Sequence, residues 1–174
     1  MSPIVHSSAA LLGWQKSAHE KNIKTFLLFL LIANFPDIDF LFFLVVGKKA
    51  FAIHQYYTHN VFFTGISVLL FFPLLNQGKE RAGFALVGFS HLVLDIFVID
   101  AAPPYGIRLF YPLWEKFFYC GISPNLQKDT LEAVFTLRNL GVLVFETVVY
   151  LLPVLIYYRK EFSCFKRREF WELI

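Results

Sequence analysis

Cysteine is nearly absent from this 174-residue chain. Cys120 and Cys164 are the only two, and they form neither a metal-ligand spacing nor a disulfide framework. Charge is scarce as well. Asp, Glu, Lys and Arg make up 17% of residues with a net charge of +3, against roughly a quarter charged in soluble domains. A broad basic surface for nucleic acid is therefore not expected. Other absences narrow the chemistry. There is no His-Glu-x-x-His, since His19-Glu20 lacks a second histidine. There is no Gly-x-Ser-x-Gly nucleophile elbow, no glycine-rich phosphate loop, no internal repeat and no low-complexity tract. No cleavable signal is expected either, because Lys16 follows the first apolar stretch instead of preceding it.

Apolar side chains take the place of charge. They make up 57% of the chain, with 22 phenylalanines and a mean hydropathy of +0.56. A soluble core of this length cannot hide that much aromatic surface. The expected fold is an all-α, polytopic membrane helical bundle forming a single domain over residues 1–174. It should have about four spans plus an N-terminal half-helix. Residues 25–46, 56–75, 82–99 and 140–158 each approach the roughly 20 residues that a bilayer crossing takes. Residues 3–14 are too short to span. They read either as a half-helix dipping into the membrane, with Trp14 as an interfacial anchor, or as an amphipathic helix lying on its surface. Residues 100–139, with Pro103-Pro104, Gly106 and Gly121, read as a partly helical interfacial segment. Positive charge is denser on the side holding Lys16, Lys21, Lys24, Lys79, Arg81, Arg159, Lys160, Lys166, Arg167 and Arg168. The side holding Lys48, Lys49, Arg108, Lys116, Lys128 and Arg138 has less. Both termini are therefore expected in the cytoplasm, with the protein in the plasma or inner membrane.

Ionisable residues inside spans are costly and mark function by default. At helical rise, Asp37 and Asp39 fall roughly 10–14 Å below the outer end of the first span, and His91 and Asp95 roughly 6–12 Å below that of the third. Glu146 falls about 9 Å below the outer end of the fourth, and a half-helix would lift His6 roughly 12 Å from the inner surface. His59 lies at the outer mouth of the second span, with His54 just above it. Antiparallel spans thus deliver imidazoles and carboxylates to one layer, a combination suited to Zn²⁺, Mn²⁺ or Fe²⁺. His91 and Asp95, four apart, share a helix face. Asp37 and Asp39 would point to nearly opposite sides of a straight helix. A break at Asn34-Phe35-Pro36 would turn both inward and leave Asn34 to cap the second half. A lone intramembrane Asp or His often only holds helices together; the shared layer favours metal binding. His19, in a Lys-rich stretch, reads as solvated surface.

Several motifs occur in a distinctive order. These are His6, the tract Asn34-Phe35-Pro36-Asp37-Ile38-Asp39, His54 followed by Thr58-His59-Asn60, Ser90-His91-Leu92-Val93-Leu94-Asp95, and Gly106-Ile107-Arg108-Leu109-Phe110-Tyr111-Pro112. Over residues 1–112 the chain resembles the membrane-bound metal-dependent hydrolase family, which includes a LexA-regulated bacterial inner-membrane protein. That family is distantly similar to the helical zinc-dependent phospholipase C and single-strand nuclease fold. The resemblance implies His6, Asp37, Asp39, His54, His59, His91 and Asp95 as metal ligands. Two departures stand out: Gln55 where the family often has Arg, and Asn60 where it often has Ser.

Seven ligands exceed the three that a catalytic zinc takes from the protein, so two divalent ions are expected, zinc first and manganese as the alternative. Asn60, Ser90 and Glu146 are candidates to support the ligands or handle protons; Glu146 reads equally as a helix-packing acid. Arg108 is the substrate-binding candidate, or else an interfacial arginine extending to the headgroups. The expected function is a metal-dependent hydrolase acting on a lipid or lipid-linked (phospho)ester. Its partners would be membrane lipid and a small-molecule or lipid substrate, with no nucleic acid and the oligomeric state left open. The alternative is a non-catalytic metal-binding protein for ion transport or sensing. Residues 26–33 and 149–157 are almost wholly apolar, which disfavours a polar path through the membrane. A purely structural polar network is a third reading.

Overall fold

A computed structural model describes residues 2–42 (40–42 by backbone alone), 57–76, 78–100, 105–126 and 135–159. Those residues are all-helical, with no strand among them and two isolated bridges, Val98 to Ser123 and Ile107 to Phe118. Polar caps start four of the five helices. The Ser2 hydroxyl accepts from the Ile4 amide, and Pro3 opens α1 (Pro3–Ser17). Asn22 caps α2 (Ile23–Asn34), Asn60 caps α3 (Val61–Phe71), and Thr136 caps α5 (Leu137–Glu146). Gly78, at φ 70°, turns the chain into α4 (Lys79–Ile96).

The Pro36 break is present but milder than a kink. The helix tightens into a 3₁₀ segment, Phe35–Phe42. With about three residues per turn, side chains two apart differ by roughly 120° instead of the roughly 160° of an α-helix. Asn34 does not cap the following segment; its amide donates back to the Leu30 carbonyl at 2.9 Å.

Helix α1 is neither surface-lying nor anchored by Trp14. It packs on α2, α4 and the turn that follows α5. Trp14 is buried, and its indole N–H donates to the Thr25 hydroxyl at 3.0 Å. Around it gather Ala10, Leu11, Phe29, Ile32, Phe84 and Val87. Glycines set how closely the helices approach. A Cβ at Gly13 would strike the Val87 side chain, one at Gly83 would strike Ser17, and one at Gly88 would lie 2.9 Å from Val68. Close backbone approach at small residues is how helices associate where the surroundings are as apolar as the side chains.

Beyond Glu146 the fifth helix makes one π turn, Thr147–Leu151, then continues to Arg159. Leu137–Arg159, with 23 residues and a mean hydropathy of 2.1, is the one helix among the described residues long and apolar enough to cross a membrane. The buried Glu146 ties it to α1, accepting from the Ser2 hydroxyl and from the Ser2 amide at 3.4 Å. Residues 105–126 contain no helix; of the segment 100–139 expected to be partly helical, residues 137–139 open α5, and 101–104 and 127–134 lie outside the described residues. Gly106 and Gly121 take positive φ of 82° and 65°, which breaks a helical run. The segment instead folds over the end of α4: Phe97 O accepts from Ile122 N and Ser123 N, and Ile96 O accepts from Cys120 N.

Two outcomes follow for stability in detergent. Gly83→Val should lower it by about 1–3 kcal/mol through overpacking. Gly141→Ala, where the added carbon meets nothing within 4 Å, should raise it by roughly 0.5–1 kcal/mol. Thermal melts ranking the two the other way would show that the α1–α4 approach does not limit stability. Glu146→Ala, which leaves both Ser2 donors without an acceptor, should cost about 1–3 kcal/mol, with Glu146→Gln intermediate. Equal melts for all three proteins would remove that tie from the fold.

Candidate metal centre

Four elements bring five ionisable side chains together. His6 stands on the second turn of α1, and Asp37 on the 3₁₀ segment that Pro36 starts. His59 directly precedes the Asn60 cap of α3, and His91 and Asp95 share one face of α4. Asn60 fixes its corner twice over: Oδ1 accepts from Phe63 N at 2.8 Å, and Nδ2 donates to Tyr57 O at 2.7 Å. His6, His59 and His91 are almost fully buried, and Asp37, 15% exposed, is the least enclosed of the five.

The polar atoms converge. His59 Nε2 lies 3.3 Å from Asp37 Oδ1 and 3.3 Å from Asp95 Oδ2. His91 Nε2 lies 3.2 Å from Asp95 Oδ2 and 3.9 Å from Asp37 Oδ1. His6 Nε2 is 3.4 Å from Asp95 Oδ1, and its ring stacks on His91 with centroids 3.8 Å apart. Two sets of donors result, His6–His91–Asp95 and Asp37–His59–His91, each with its ligand atoms within 4.8 Å of one another. His91 is in both, and Asp95 turns one oxygen to His6 and the other to His59 and His91.

Proton bookkeeping sharpens this picture. His91 Nδ1 lies 2.7 Å from the Ala33 carbonyl, which only accepts, so Nδ1 carries the proton. The Thr58 hydroxyl donates to Asp39 at 2.8 Å, so toward His59 Nδ1, at 3.0 Å, its oxygen accepts. In neutral rings both Nε2 atoms are then bare lone pairs, and they face each other at 3.2 Å. Two acceptors that close repel unless a cation, either a proton or a metal ion, lies between them. Among the described residues, Nδ1 of the buried His6 has no hydrogen-bond partner, and its Nε2 meets only Asp95 Oδ1, at 3.4 Å.

The other candidates stand around this group. Asp39 is in neither donor set; it holds Thr58, which holds His59. His54 lies outside the described residues. The Ser90 hydroxyl donates to Val87 O within its own helix at 2.7 Å, and Glu146 serves the α1 cap. Arg108 lies over the rings of Phe117 and Tyr111, 5.0 and 5.7 Å from their centroids. Its neighbour Leu109 accepts from Val61 N at 2.9 Å, tying that loop to the turn after His59. His19 is exposed. Sequence reasoning assigned no role to Thr58, to Ser2 or to the Ala33 carbonyl. Ser2 before Pro3 is a readable cap signal, and Thr58 adjoins a candidate histidine.

Apolar side chains face outward on every helix of the bundle. Leu27 and Leu31 on α2, Ile66, Leu69 and Leu70 on α3, Leu86 and Val93 on α4, and Val148 and Ile156 beyond α5 are all exposed. An apolar surface of that extent marks contact with lipid or with other proteins. No curated protein and no solved structure matches the chain. The YdjM inner membrane protein family matches residues 1–162, nearly the whole length. The chain, with its exposed apolar exterior and its buried polar cluster, belongs on that match to the YdjM inner membrane protein family.

Proposed function

We propose that the chain is a membrane-embedded metal-dependent hydrolase acting on a lipid or lipid-linked (phospho)ester. Zinc is the leading metal and manganese the alternative. The observation that carries this reading is the approach of His59 Nε2 and His91 Nε2 to 3.2 Å, flanked by Asp37 and Asp95. One proton on His59 would relieve that single contact. It would not act on the buried His6, whose Nε2 faces Asp95 Oδ1 at 3.4 Å and whose Nδ1 has no hydrogen-bond partner among the described residues. The spacing also fits: donors about 2.1 Å from a tetrahedral zinc lie about 3.4 Å from one another, and the closest separations here are 3.2–3.4 Å.

In this reading His6 and Asp95 Oδ1 would hold one ion, and Asp37, His59, His91 and Asp95 Oδ2 the second; His91, with a single free lone pair on Nε2, serves one ion only. Bound there, such ions supply Lewis acidity and make water acidic enough to attack at neutral pH. The chain's own residues do the rest. The Ala33 carbonyl and the Asp39–Thr58 pair fix the tautomer and orientation of His91 and His59, and raise their basicity as ligands. Asp37 marks the open side. Arg108, on the loop tied to the turn after His59, supplies a positive charge toward an anionic ester. On the far side of the cluster Phe29, Ile32, Phe84 and Val87 close the bundle. That apolar floor supports a one-sided site over an ion-transport path.

The reading includes four membrane crossings, by α2 with its 3₁₀ extension, α3, α4 and α5. The C-terminus and the Lys16 end of α1 face the cytoplasm, and the cluster, with the buried Ser2 end of α1, lies beneath the opposite leaflet. A cytoplasm-dependent reporter should then be active at the C-terminus and silent at Lys49; the reverse pattern would invert the site. Elemental analysis of purified protein should give about two equivalents of zinc or manganese per chain. Asp95→Ala, which removes the carboxylate shared by both sets, should remove both, while His6→Ala and His91→Ala should each remove one. Folded protein that carries neither ion ends the proposal. Headgroup or phosphate release from inner-membrane lipid vesicles by the metal-loaded protein should vanish in Asp37→Asn.

A further inference from the structure

The second feature of α4 lies at its other end. Between α1 and α4 runs a groove of about 430 Å³, within the range of small-ligand sites. Ala9 and Leu12 form one wall, Ala82 and Leu86 the other, and Gly13 lies at its base. The polar groups that reach the groove away from its mouth are already spent. The Ser17 hydroxyl donates to Gly13 O at 2.5 Å, and that of Ser90 to Val87 O at 2.7 Å. The groove therefore offers hydrocarbon surface to its occupant. Its mouth differs, because Lys16 and Lys79 line it there and no carboxylate does. Lys16 is held at the rim over the rings of Tyr157 and Tyr158, 5.5 and 5.9 Å from their centroids.

We propose that this groove binds one anionic phospholipid, with its phosphate between Lys16 and Lys79 and an acyl chain lying along Leu12 and Leu86 toward Ser90. The charge pattern selects this occupant. A packed helix from another protein would find two ammonium groups at the mouth of an apolar slot, whereas a phospholipid presents an anion and a hydrocarbon chain in that order. Each lysine near an anionic headgroup adds a favourable interaction that a zwitterionic lipid does not match. From Lys79 to Ser90 the helix rises roughly 16 Å, so a phosphate at the lysines sits far from the His91 cluster. This lipid is thus not the substrate of that cluster, and the proposal stands whether or not the cluster hydrolyses anything.

Native mass spectrometry of the full chain in detergent, with added palmitoyl-oleoyl phosphatidylglycerol or phosphatidylcholine, tests it. One phosphatidylglycerol should be retained in preference to phosphatidylcholine. The Lys16→Gln/Lys79→Gln double variant should weaken phosphatidylglycerol on the order of tenfold and leave phosphatidylcholine unchanged. Ala82→Phe, which fills the groove, should weaken retention of both. Equal retention of the two lipids by the native chain overturns the proposal, as does undiminished phosphatidylglycerol in the lysine variant. A second protein copy in place of lipid would also overturn it. Both lysines and Ala82 are exposed, and a thermal melt checks each variant's fold. Should Ala82→Phe fail to fold, the lysine variant alone decides.

Discussion

A missing amide hydrogen organises this molecule. Phe35 N donates to Ile32 O, so the ladder has already shortened to the i-to-i−3 spacing at that point. In that register the next amide should close on the Ala33 carbonyl, but it belongs to Pro36, which has none. The carbonyl is left inside the bundle, where an unmet acceptor is costly. His91, reaching across from α4, donates Nδ1–H to it at 2.7 Å. One proline thereby sets which nitrogen of a distant histidine keeps its proton and turns the other toward His59 and Asp95. The same tightening swings Asp37 and Asp39 toward a common side.

Much of this was readable beforehand, and the remainder fails for identifiable reasons. All-helical architecture and inner-membrane character follow from composition and apolar runs. His91 and Asp95 share a face because they are four apart, and the break at Pro36 follows from its chemistry. The rank of each polar residue was less legible. Asp37 and Asp39 look equivalent in sequence, but the 3₁₀ twist gives Asp37 to the histidines and Asp39 to Thr58. Trp14 reads as an interfacial anchor by type, and only the neighbouring Thr25 hydroxyl shows why it can be buried. Within the segment read as partly helical, Gly106 and Gly121 were visible, and residues 105–126 hold no helix where those glycines take a backbone conformation no helix continues. Ala33 could not be singled out by its side chain, because the part it plays belongs to the backbone.

In a bilayer, apolar packing inside a protein gains little over apolar packing against lipid. The bundle's contacts reflect this. Gly13 with Val87 and Gly83 with Ser17 bring α1 and α4 close, and polar ties such as Trp14 with Thr25 and Glu146 with Ser2 join elements far apart in sequence. Other buried hydroxyls, such as Ser8, Ser17 and Ser67, are satisfied within their own helix. The cluster around His91 differs in gathering five ionisable side chains: with neutral rings its acceptors face acceptors, an arrangement that would push the helices apart if nothing positive joined them.

That tension bears on how fold and function relate here. His6, Asp37, His59 and the His91–Asp95 pair come from four separate elements, so the cluster is also where those elements meet. On the proposed reading, ions between the donors convert mutual repulsion into cross-links, and metal binding becomes part of the folding free energy. The exposed apolar exterior contributes no comparable preference for one helix arrangement over another, because lipid satisfies it in any of them. Specificity of assembly then rests on the glycine contacts at one end of α4 and on the charged cluster at the other. A chain with so little charge to spend has concentrated its buried charge where four elements must agree.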